Sequence, residues 1–220
     1  MKNAEISVSI LDADFAKIGH IIEEIEEGKA DSIHLDIMDG HFVPNLSFGP
    51  GLVKSIRKLT DIELDAHLMV ERPGEYLERF ADAGCDSLIV HLESDADMEP
   101  VLDKIEKLGL KAGLALNPAT DVHGIDGVAG RLDKILIMTV NPGFGGQKFI
   151  MECLGKVEHA ETKIRELGID AVVGVDGGIN NETGRMAAEA GAGFLVAGSA
   201  LLNSGDLPDA IKRLRKECFA

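Results

Sequence analysis

The chain has 220 residues, 45% of them hydrophobic and 27% charged, which is the composition of a globular protein that buries a sizeable core. Its formal net charge of -16 argues against binding to a nucleic-acid backbone, and it requires that local features hold any anionic ligand against the field of the whole molecule. No apolar run is long enough to span a membrane, no signal-peptide pattern opens the chain, and the three cysteines lack paired spacing, so we expect a cytoplasmic protein with reduced thiols.

Short β-branched runs alternate along the chain with loops that carry Gly or Pro and with amphipathic helices. In chain order, strands are predicted at residues 6–11, at a run that ends at Asp36 or just beyond, and at 63–69, 87–91, 112–116, 134–140, 171–175 and 194–197. Helices are predicted at residues 15–26, 50–59, 73–83 and 98–108, with a short one at 123–127.

Eight such strands predict a (β/α)₈ TIM barrel of the α/β class, as a single compact domain over residues 1–220. The spacing of about 27 residues per unit is near the compact end of the range for this fold. A doubly wound open sheet is the alternative, but it usually places its chemistry at one switch point. Here polar residues and glycines recur at the C-terminal ends of six strands, which favours the barrel.

Histidines and aspartates recur on the second, third and seventh predicted strands. Because side chains on a strand alternate between faces, His34 and Asp36 share one face within residues 34–40 (HLDIMDG), and Asp65 and His67 share one on the third strand. Asp176 follows the seventh strand directly, so two His and two Asp from these strands can converge at the mouth of a barrel, an N₂O₂ set that suits a divalent transition metal such as zinc. Taken singly, each residue has a structural alternative, since Asp and His at strand ends often bond loop amides.

Glycines form a second constellation, at the ends of the last three strands. Residues 141–147 (NPGFGGQ) follow the sixth strand, residues 177–178 (GG) the seventh and residues 198–199 (GS) the eighth. Successive N–H groups in such loops bind phosphate without a positive side chain, and barrel enzymes frequently place phosphate after strands seven and eight. The alternative is that these glycines only form tight turns. Three adjacent loops favour the anion site.

These segments together resemble ribulose-phosphate 3-epimerase over nearly the whole chain. The matching segments are residues 9–11 (SIL), 13–15 (ADF), 34–45 (HLDIMDGHFVPN), 67–70 (HLMV), 141–149 (NPGFGGQKF), 175–179 (VDGGI) and 197–200 (AGSA). Three positions depart from the pattern of that family. Asp12 stands where Ser is usual, Val8 where Pro is usual, and Asp121 where Pro is common. Asp12 lies near the end of the first strand, where it changes the charge at the mouth.

The resemblance implies a role for each candidate residue. The implied metal ligands are His34, Asp36, His67 and Asp176, with Asp36 and Asp176 also acting as acid and base. The implied substrate contacts are Ser9, His67 and Asp176 together with Gly143, Phe144, Gly145, Gly146, Gly177, Gly178, Gly198 and Ser199, the glycine loops surrounding the phosphate. An apolar cap over the enediolate is implied for Met38, Met69 and Met138, for which core filling is the alternative. His91, also at the mouth, is interpreted as a hydrogen-bonding support.

The expected activity is therefore a metal-dependent 3-epimerase of the pentose phosphate pathway. It would interconvert D-ribulose 5-phosphate and D-xylulose 5-phosphate by two-base proton transfer, with one divalent ion per chain, zinc first and Fe, Mn or Co as alternatives. A ketohexulose-phosphate epimerase such as allulose-6-phosphate 3-epimerase remains an alternative. A phosphate-binding barrel decarboxylase or aldolase is less favoured, since such enzymes usually bring a Lys to the active face. A metal-binding module would not need a carboxylate on each face of a substrate. We expect a homo-oligomer, with a small-molecule sugar phosphate as ligand and neither nucleic acid nor membrane as partner.

Overall fold

A computed structural model describes residues 5–94 and 97–219, and its strands form one closed parallel barrel in chain order. The strands are β1 Glu5–Ser9, β2 Ser32–Met38, β3 Glu63–Met69, β4 Ser87–His91, β5 Lys111–Leu116, β6 Lys134–Met138, β7 Val172–Asp176 and β8 Phe194–Ala197. The predicted α/β class and the (β/α)₈ TIM barrel are thereby confirmed. Residues 1–4, 95, 96 and 220, which the predicted domain 1–220 includes, lie outside the described residues.

Helices cover the outside of the barrel in the described part of the chain. They are α1 Ile18–Glu27, α2 Pro50–Ile56, α3 Leu77–Ala83, α4 Met98–Lys107, α5 Leu154–Leu167, α6 Asn181–Glu189, α7 Ser199–Leu202 and α8 Leu207–Phe219. The connection between β5 and β6 contains two 3₁₀ turns, Val122–Ile125 and Ala129–Arg131. The other connections between consecutive described strands each contain an α-helix. None of the described helices combines the length and the hydropathy that a bilayer crossing demands.

Strand alternation divides the apolar residues between two cores. On β2, Ile33, Leu35 and Ile37 face outward and are buried in the large cluster that also holds the α1 residues Ile22 and Ile25. A smaller cluster fills the inside of the barrel, with these members: Ile89, Ala115, Leu136, Met138, Phe194 and Val196. Both faces of the strands are therefore buried, as parallel barrels require.

A buried ion pair occupies the barrel interior at the N-terminal ends of the strands. Lys134 Nζ on β6 lies 2.7 Å from Asp65 Oδ1 and 3.1 Å from Glu63 Oε1, both on β3. Ser32 Oγ donates to Asp65 Oδ2 at 2.7 Å, and the Lys134 ammonium lies 4.6 Å from the centre of the Phe194 ring. This end of the barrel is thus closed by a paired charge and an aromatic ring.

Strand register sets the height of the functional side chains. Asp36 pairs with His67 across β2 and β3, and Met138 pairs with Asp176 across β6 and β7. The candidate ligands on β2, β3 and β7 consequently point into the barrel near its C-terminal mouth. The pairing of the strands alone sets these positions, independently of the loop conformations.

Several predicted bounds are wrong, and in each case a local turn explains the difference. β1 ends at Ser9 rather than at residue 11, because Ala13 N–H bonds to the Ile10 carbonyl and turns the chain. The helix predicted at 73–83 is a 3₁₀ turn, Pro73–Glu75, followed by α3. The helix predicted at 123–127 is only a 3₁₀ turn, Val122–Ile125, in a stretch with three glycines. Smaller shifts at the strand and helix ends leave the element order unchanged, with β6 ending at Met138 and β7 including Asp176.

Candidate active site

Four side chains from three strands meet at the mouth of the barrel. One ligand atom from each of His34, Asp36, His67 and Asp176 lies within 4.8 Å of the corresponding atom of the other three. His67 Nδ1 is 3.2 Å from His34 Nε2, 3.3 Å from Asp36 Oδ1 and 3.5 Å from Asp176 Oδ2. The sequence-predicted set is thus brought together as one cluster, and both imidazoles are fully buried.

The protonation of this cluster depends on competition between burial and hydrogen bonding. Burial alone would lower the pKa of His67, but hydrogen bonds with Asp176 and Asp36 outweigh it and raise that pKa to about 9. For Asp36, burial opposes ionisation, yet the His34 and His67 rings and the Ser9 hydroxyl lower its pKa to about 2. Burial lowers the pKa of His34. At neutral pH the cluster therefore pairs an ionised Asp36 with a protonated His67.

The donor set fits a metal ion. Two imidazole nitrogens and two carboxylate oxygens face one another at short distances. One proton between them can form a hydrogen bond within a single nitrogen–oxygen pair, whereas one cation between them can contact all four atoms. Two carboxylates and two imidazoles also match the charge and the ligand preferences of a divalent transition metal. The cluster could therefore hold a metal ion, and its ligands are all mounted on barrel strands.

Ser9 and a chain of hydrogen bonds support the cluster from outside. Ser9 Oγ donates to Asp36 Oδ2 at 2.6 Å. On the far side of His67, Nε2 lies 2.9 Å from His91 Nε2, and His91 Nδ1 lies 3.1 Å from Glu93 Oε2. Burial lowers the pKa of His91 to about 4. His91 thus contacts the predicted ligand His67 and is not one of the four clustered residues. This agrees with its interpretation from the sequence as a hydrogen-bonding support.

One cavity opens above the cluster and gathers the remaining predicted site residues. Its lining includes Ser9, Asp36, Met38, Met69, Met138, Gly143, Phe144, Gly145, Gly146, Asp176, Gly177, Gly178, Gly198 and Ser199. His34 and His67 lie beneath this lining, so they reach the cavity only through the cluster. The three methionines are almost fully buried and form an apolar wall beside the carboxylates.

The glycine loops that line this cavity differ in how their main-chain carbonyls and N–H groups are bonded. Gln147 Nε2 donates to the carbonyls of Asn141 and Phe144, and Thr139 Oγ1 donates to the Gly177 carbonyl at 2.6 Å. Several loop carbonyls are thereby occupied by side-chain donors. The N–H groups of the four glycines next to the cavity have no acceptor within the described residues: Gly145, Gly146, Gly177 and Gly178.

The family follows from a comparison of the whole sequence with known proteins. The sequence profile described as the ribulose-phosphate 3 epimerase family matches residues 5–202. The chain belongs to the ribulose-phosphate 3-epimerase family. Among curated relatives, "Ribulose-phosphate 3-epimerase" of Bacillus subtilis (strain 168) is 48% identical, over 96% of this chain and 98% of that protein. The Escherichia coli (strain K12) protein of the same name is 42% identical, over 99% of this chain and 97% of that protein.

Solved structures outside the ribulose-phosphate 3-epimerase family share the fold. A 3-hexulose-6-phosphate synthase from Salmonella typhimurium superposes with a TM-score of 0.73 at 17% identity, covering 99% of this chain and 98% of that chain. KGPDC from Streptococcus mutans gives a TM-score of 0.72 at 15% identity, with coverages of 99% and 98%. At these identities the likeness shows the fold alone.

The structure adds two contacts that the sequence does not indicate, those of Asn45 and of Lys134, and it places Asp12 at the mouth, as the sequence predicts. Asn45 Nδ2 donates to the Gly143 carbonyl at 2.7 Å and so ties the β2 loop to the β6 loop. Asp12 lines the cavity, and its carboxylate fills the space that a Cβ at Gly145 would need. Lys134 points into the barrel, which the alternation Lys134, Leu136, Met138 on β6 could have indicated.

Proposed function

We propose that the chain is an isomerase that interconverts D-ribulose 5-phosphate and D-xylulose 5-phosphate by epimerisation at C3. One observation carries the proposal: two carboxylates from different strands, Asp36 on β2 and Asp176 on β7, converge on one buried cluster at the barrel mouth. Membership of the family, and curated relatives that bear the name of this activity, support the same reaction.

The two carboxylates act as acid and base on opposite faces of the substrate. Inversion at C3 of a 2-ketose requires that a proton leave next to a carbonyl and that another return on the opposite face. A single base cannot reach both faces of a planar enediolate, so two groups must flank it. We assign one face to Asp36 and the other to Asp176, whose strands are separated in the barrel by β1 and β8. The Ser9 hydrogen bond orients Asp36 and favours its ionised form.

His34, Asp36, His67 and Asp176 would hold one divalent ion, zinc in the first place and Fe, Mn or Co as alternatives. When bound, such an ion polarises the C2 carbonyl and stabilises the negative charge that develops on its oxygen. The protein's own contribution is orientation. All four donors stand on strands of a closed barrel, which holds them in fixed positions, and His34, Asp36 and His67 are buried.

The other end of the substrate lies among the glycine loops. Free N–H groups at Gly145, Gly146, Gly177 and Gly178 would bind the phosphate, which explains how an anion binds to a chain with net charge -16. Met38, Met69 and Met138 form a polarizable, dry wall beside the carboxylates, suited to covering an enediolate. Binding energy from the phosphate helps position C3 between the two carboxylates.

Two alternative activities differ in one feature each. A ketohexulose-phosphate epimerase would use the same carboxylates and differ in the room around the sugar. A barrel decarboxylase or aldolase would bring a Lys to the active face. Lys134 is inside the barrel, but it is paired with Asp65 and Glu63 at the opposite end from the cavity, which argues against that role.

Solvent deuterium exchange tests the reaction. Product formed in deuterated water should carry deuterium at C3 in both directions. Asp176→Asn should abolish epimerisation, with the metal content measured in parallel because the same residue is a proposed ligand. Retention of the original hydrogen in the product would reject the two-base mechanism.

Substrate length is tested by comparing kcat/KM for D-ribulose 5-phosphate with kcat/KM for allulose 6-phosphate. The phosphate must stay on the loop amides while C3 lies between the carboxylates, so one extra carbon should lower turnover as well as affinity. A preference for the six-carbon sugar would refute the proposed substrate and leave the chemistry standing.

The surroundings of the enzyme are also proposed. All three cysteines are free and buried, which supports the cytoplasmic location expected from their spacing. Phe15, Leu46 and Phe144 are exposed and line one groove beside the cavity mouth, which supports self-association through this apolar surface. The homo-oligomer stays a prediction, to be measured by light scattering.

A further inference from the structure

The two histidines of the cluster differ in what stands behind them. His34 Nε2 faces the cluster, and its Nδ1 has no hydrogen-bond partner within the described residues. His67 instead presents Nδ1 to the cluster and is backed through Nε2 by His91, which is backed by Glu93. Only one of the two rings therefore has its orientation and its tautomer controlled from outside.

The positions of the protons along the hydrogen-bonded series Glu93, His91, His67 follow from the acceptor at its end. An ionised Glu93 can only accept, so the proton of the His91 ring lies on Nδ1. His91 Nε2 must then accept, so His67 carries its proton on Nε2. His67 Nδ1, which faces Asp36 and Asp176, is then the nitrogen that gives up its proton when a metal ion binds. A neutral imidazole with that tautomer is the form that binds a metal.

Glu93 is fixed in the orientation that this role requires. Its Oε1 accepts from the backbone N–H of Asn117 at 2.7 Å and from the hydroxyl of Thr120, while its Oε2 faces His91. Burial opposes ionisation, but the hydrogen bonds from His91, Thr120 and Asn117 lower the pKa of Glu93 to about 2. The carboxylate is therefore an acceptor at both oxygens under ordinary conditions.

We propose that Glu93 is a positioning residue, which acts through His91 to hold His67 in the tautomer that presents Nδ1 to the metal. The proposal deepens the proposed function, on which it rests for the presence of the metal. Neither Glu93 nor His91 lines the cavity above the cluster, so neither touches the substrate. The metal site is thus larger than its four ligands and extends to β4 and the loop after β5.

The isosteric variant Glu93→Gln tests the direction of these hydrogen bonds. Asn117 N–H and Thr120 Oγ1 both donate to the Oε1 position, so they should select the carbonyl oxygen of the glutamine there. The glutamine NH₂ then faces His91 Nδ1 and donates to it. His91 would then carry its proton on Nε2 and donate it to His67 Nε2. His67 would in turn carry its proton on Nδ1, the atom that should bind the metal. A change of one atom, with the same shape, would thus present the wrong tautomer.

The measurement is the Zn²⁺ dissociation constant, by competition with a chromophoric chelator, for wild type, Glu93→Gln and the control Glu71→Gln. Glu71 is exposed after β3 and loses the same charge without contacting the chain of histidines. We expect Glu93→Gln to weaken Zn²⁺ binding by about 10- to 100-fold, the usual effect of losing an outer hydrogen-bond partner. Glu71→Gln should leave it unchanged. Equal affinities in all three proteins would overturn the proposal.

Nitrogen NMR of ¹⁵N-histidine-labelled, Zn²⁺-loaded wild type supplies a test that needs no variant to fold. The expected spectrum shows His91 protonated on Nδ1 and His67 protonated on Nε2, and the reverse tautomer of His91 would overturn the proposal. Wild type that binds Zn²⁺ but does not convert D-ribulose 5-phosphate refutes the proposed function alone. Wild type that binds no Zn²⁺ refutes this inference together with the proposed metal.

Discussion

The ion pair inside the barrel gives a stability prediction whose size can be worked from its contacts. In Lys134→Met, Asp65 loses its 2.7 Å partner while remaining fully buried. Breaking a buried pair by removing one partner costs about 3–5 kcal/mol. Because Ser32 still donates to Asp65, we expect the lower end of that range, near 3 kcal/mol. In a domain of this size, that corresponds to a Tm lower by roughly 6–12 °C.

Lys111→Met is the matched control. Lys111 contacts the same Glu63, but its side chain is 51% exposed, against 5% for Lys134. An exposed pair contributes about 1 kcal/mol or less, so this variant should unfold close to wild type. Urea unfolding followed by circular dichroism, with chelator present in every sample, gives the free energies of unfolding.

The pH dependence checks the cause. Burial opposes ionisation of both partners, but their mutual attraction lowers the pKa of Asp65 and raises that of Lys134. Stability from the pair is therefore full between about pH 4 and about pH 10, the ordinary pKa values of the two groups. It is lost as pH falls through the lowered pKa of Asp65 or rises through the raised pKa of Lys134.

Removing Lys134 leaves burial to dominate, so the pKa of Asp65 rises in the variant. The variant can then take up a proton on Asp65 as the pH falls, and its deficit against wild type should shrink between pH 7 and pH 4.5. Two results would refute the reasoning: equal losses in Lys134→Met and Lys111→Met, or a deficit that stays constant over that range.

Three further predictions concern the cavity. Gly178→Ala should raise KM for D-ribulose 5-phosphate at least tenfold in steady-state assays. The backbone of Gly178 has φ +67°, and a Cβ there would lie 2.5 Å from Phe149 N, so the loop must shift. An unchanged KM would show that this loop does not bind the phosphate. Asp12→Ser should lower KM by up to about fivefold at low salt, since one charge repelling a phosphate in water amounts to about 1 kcal/mol, and a higher KM would show that Asp12 assists binding. A chelator should abolish turnover and added Zn²⁺ should restore it, whereas full activity in treated protein with no metal by elemental analysis would contradict a metal-dependent reaction.

Periodicity predicted the barrel and the convergence of His and Asp side chains at its mouth, because both depend on strand alternation and on the parallel ladder. The family resemblance selected the set His34, Asp36, His67 and Asp176. The ends of elements were predicted less well. Whether residues 123–127 complete an α-helix depends on packing and on glycine entropy, neither of which has a clear period in the sequence.

Contacts between distant segments were beyond the sequence for a different reason. The spacing of His91 and Glu93 is visible in the chain, but it gives no indication that Thr120 and Asn117 direct one carboxylate oxygen away from the histidine. Likewise, the charge of Lys134 is visible, whereas its pairing with Asp65 depends on the shear of the closed barrel.

The glycine loops beside the cavity have a consequence for which substitutions this protein can accept. A main-chain N–H is encoded by every residue except proline, so a change of side-chain charge cannot delete the donors at Gly177 and Gly178. What a codon change does alter there is volume: a Cβ on Gly177 would lie 2.4 Å from Val140, and one on Gly178 would meet the backbone of Phe149. A change of charge on a neighbouring side chain therefore leaves these two donors in place, while substitutions at the two glycines are limited by space.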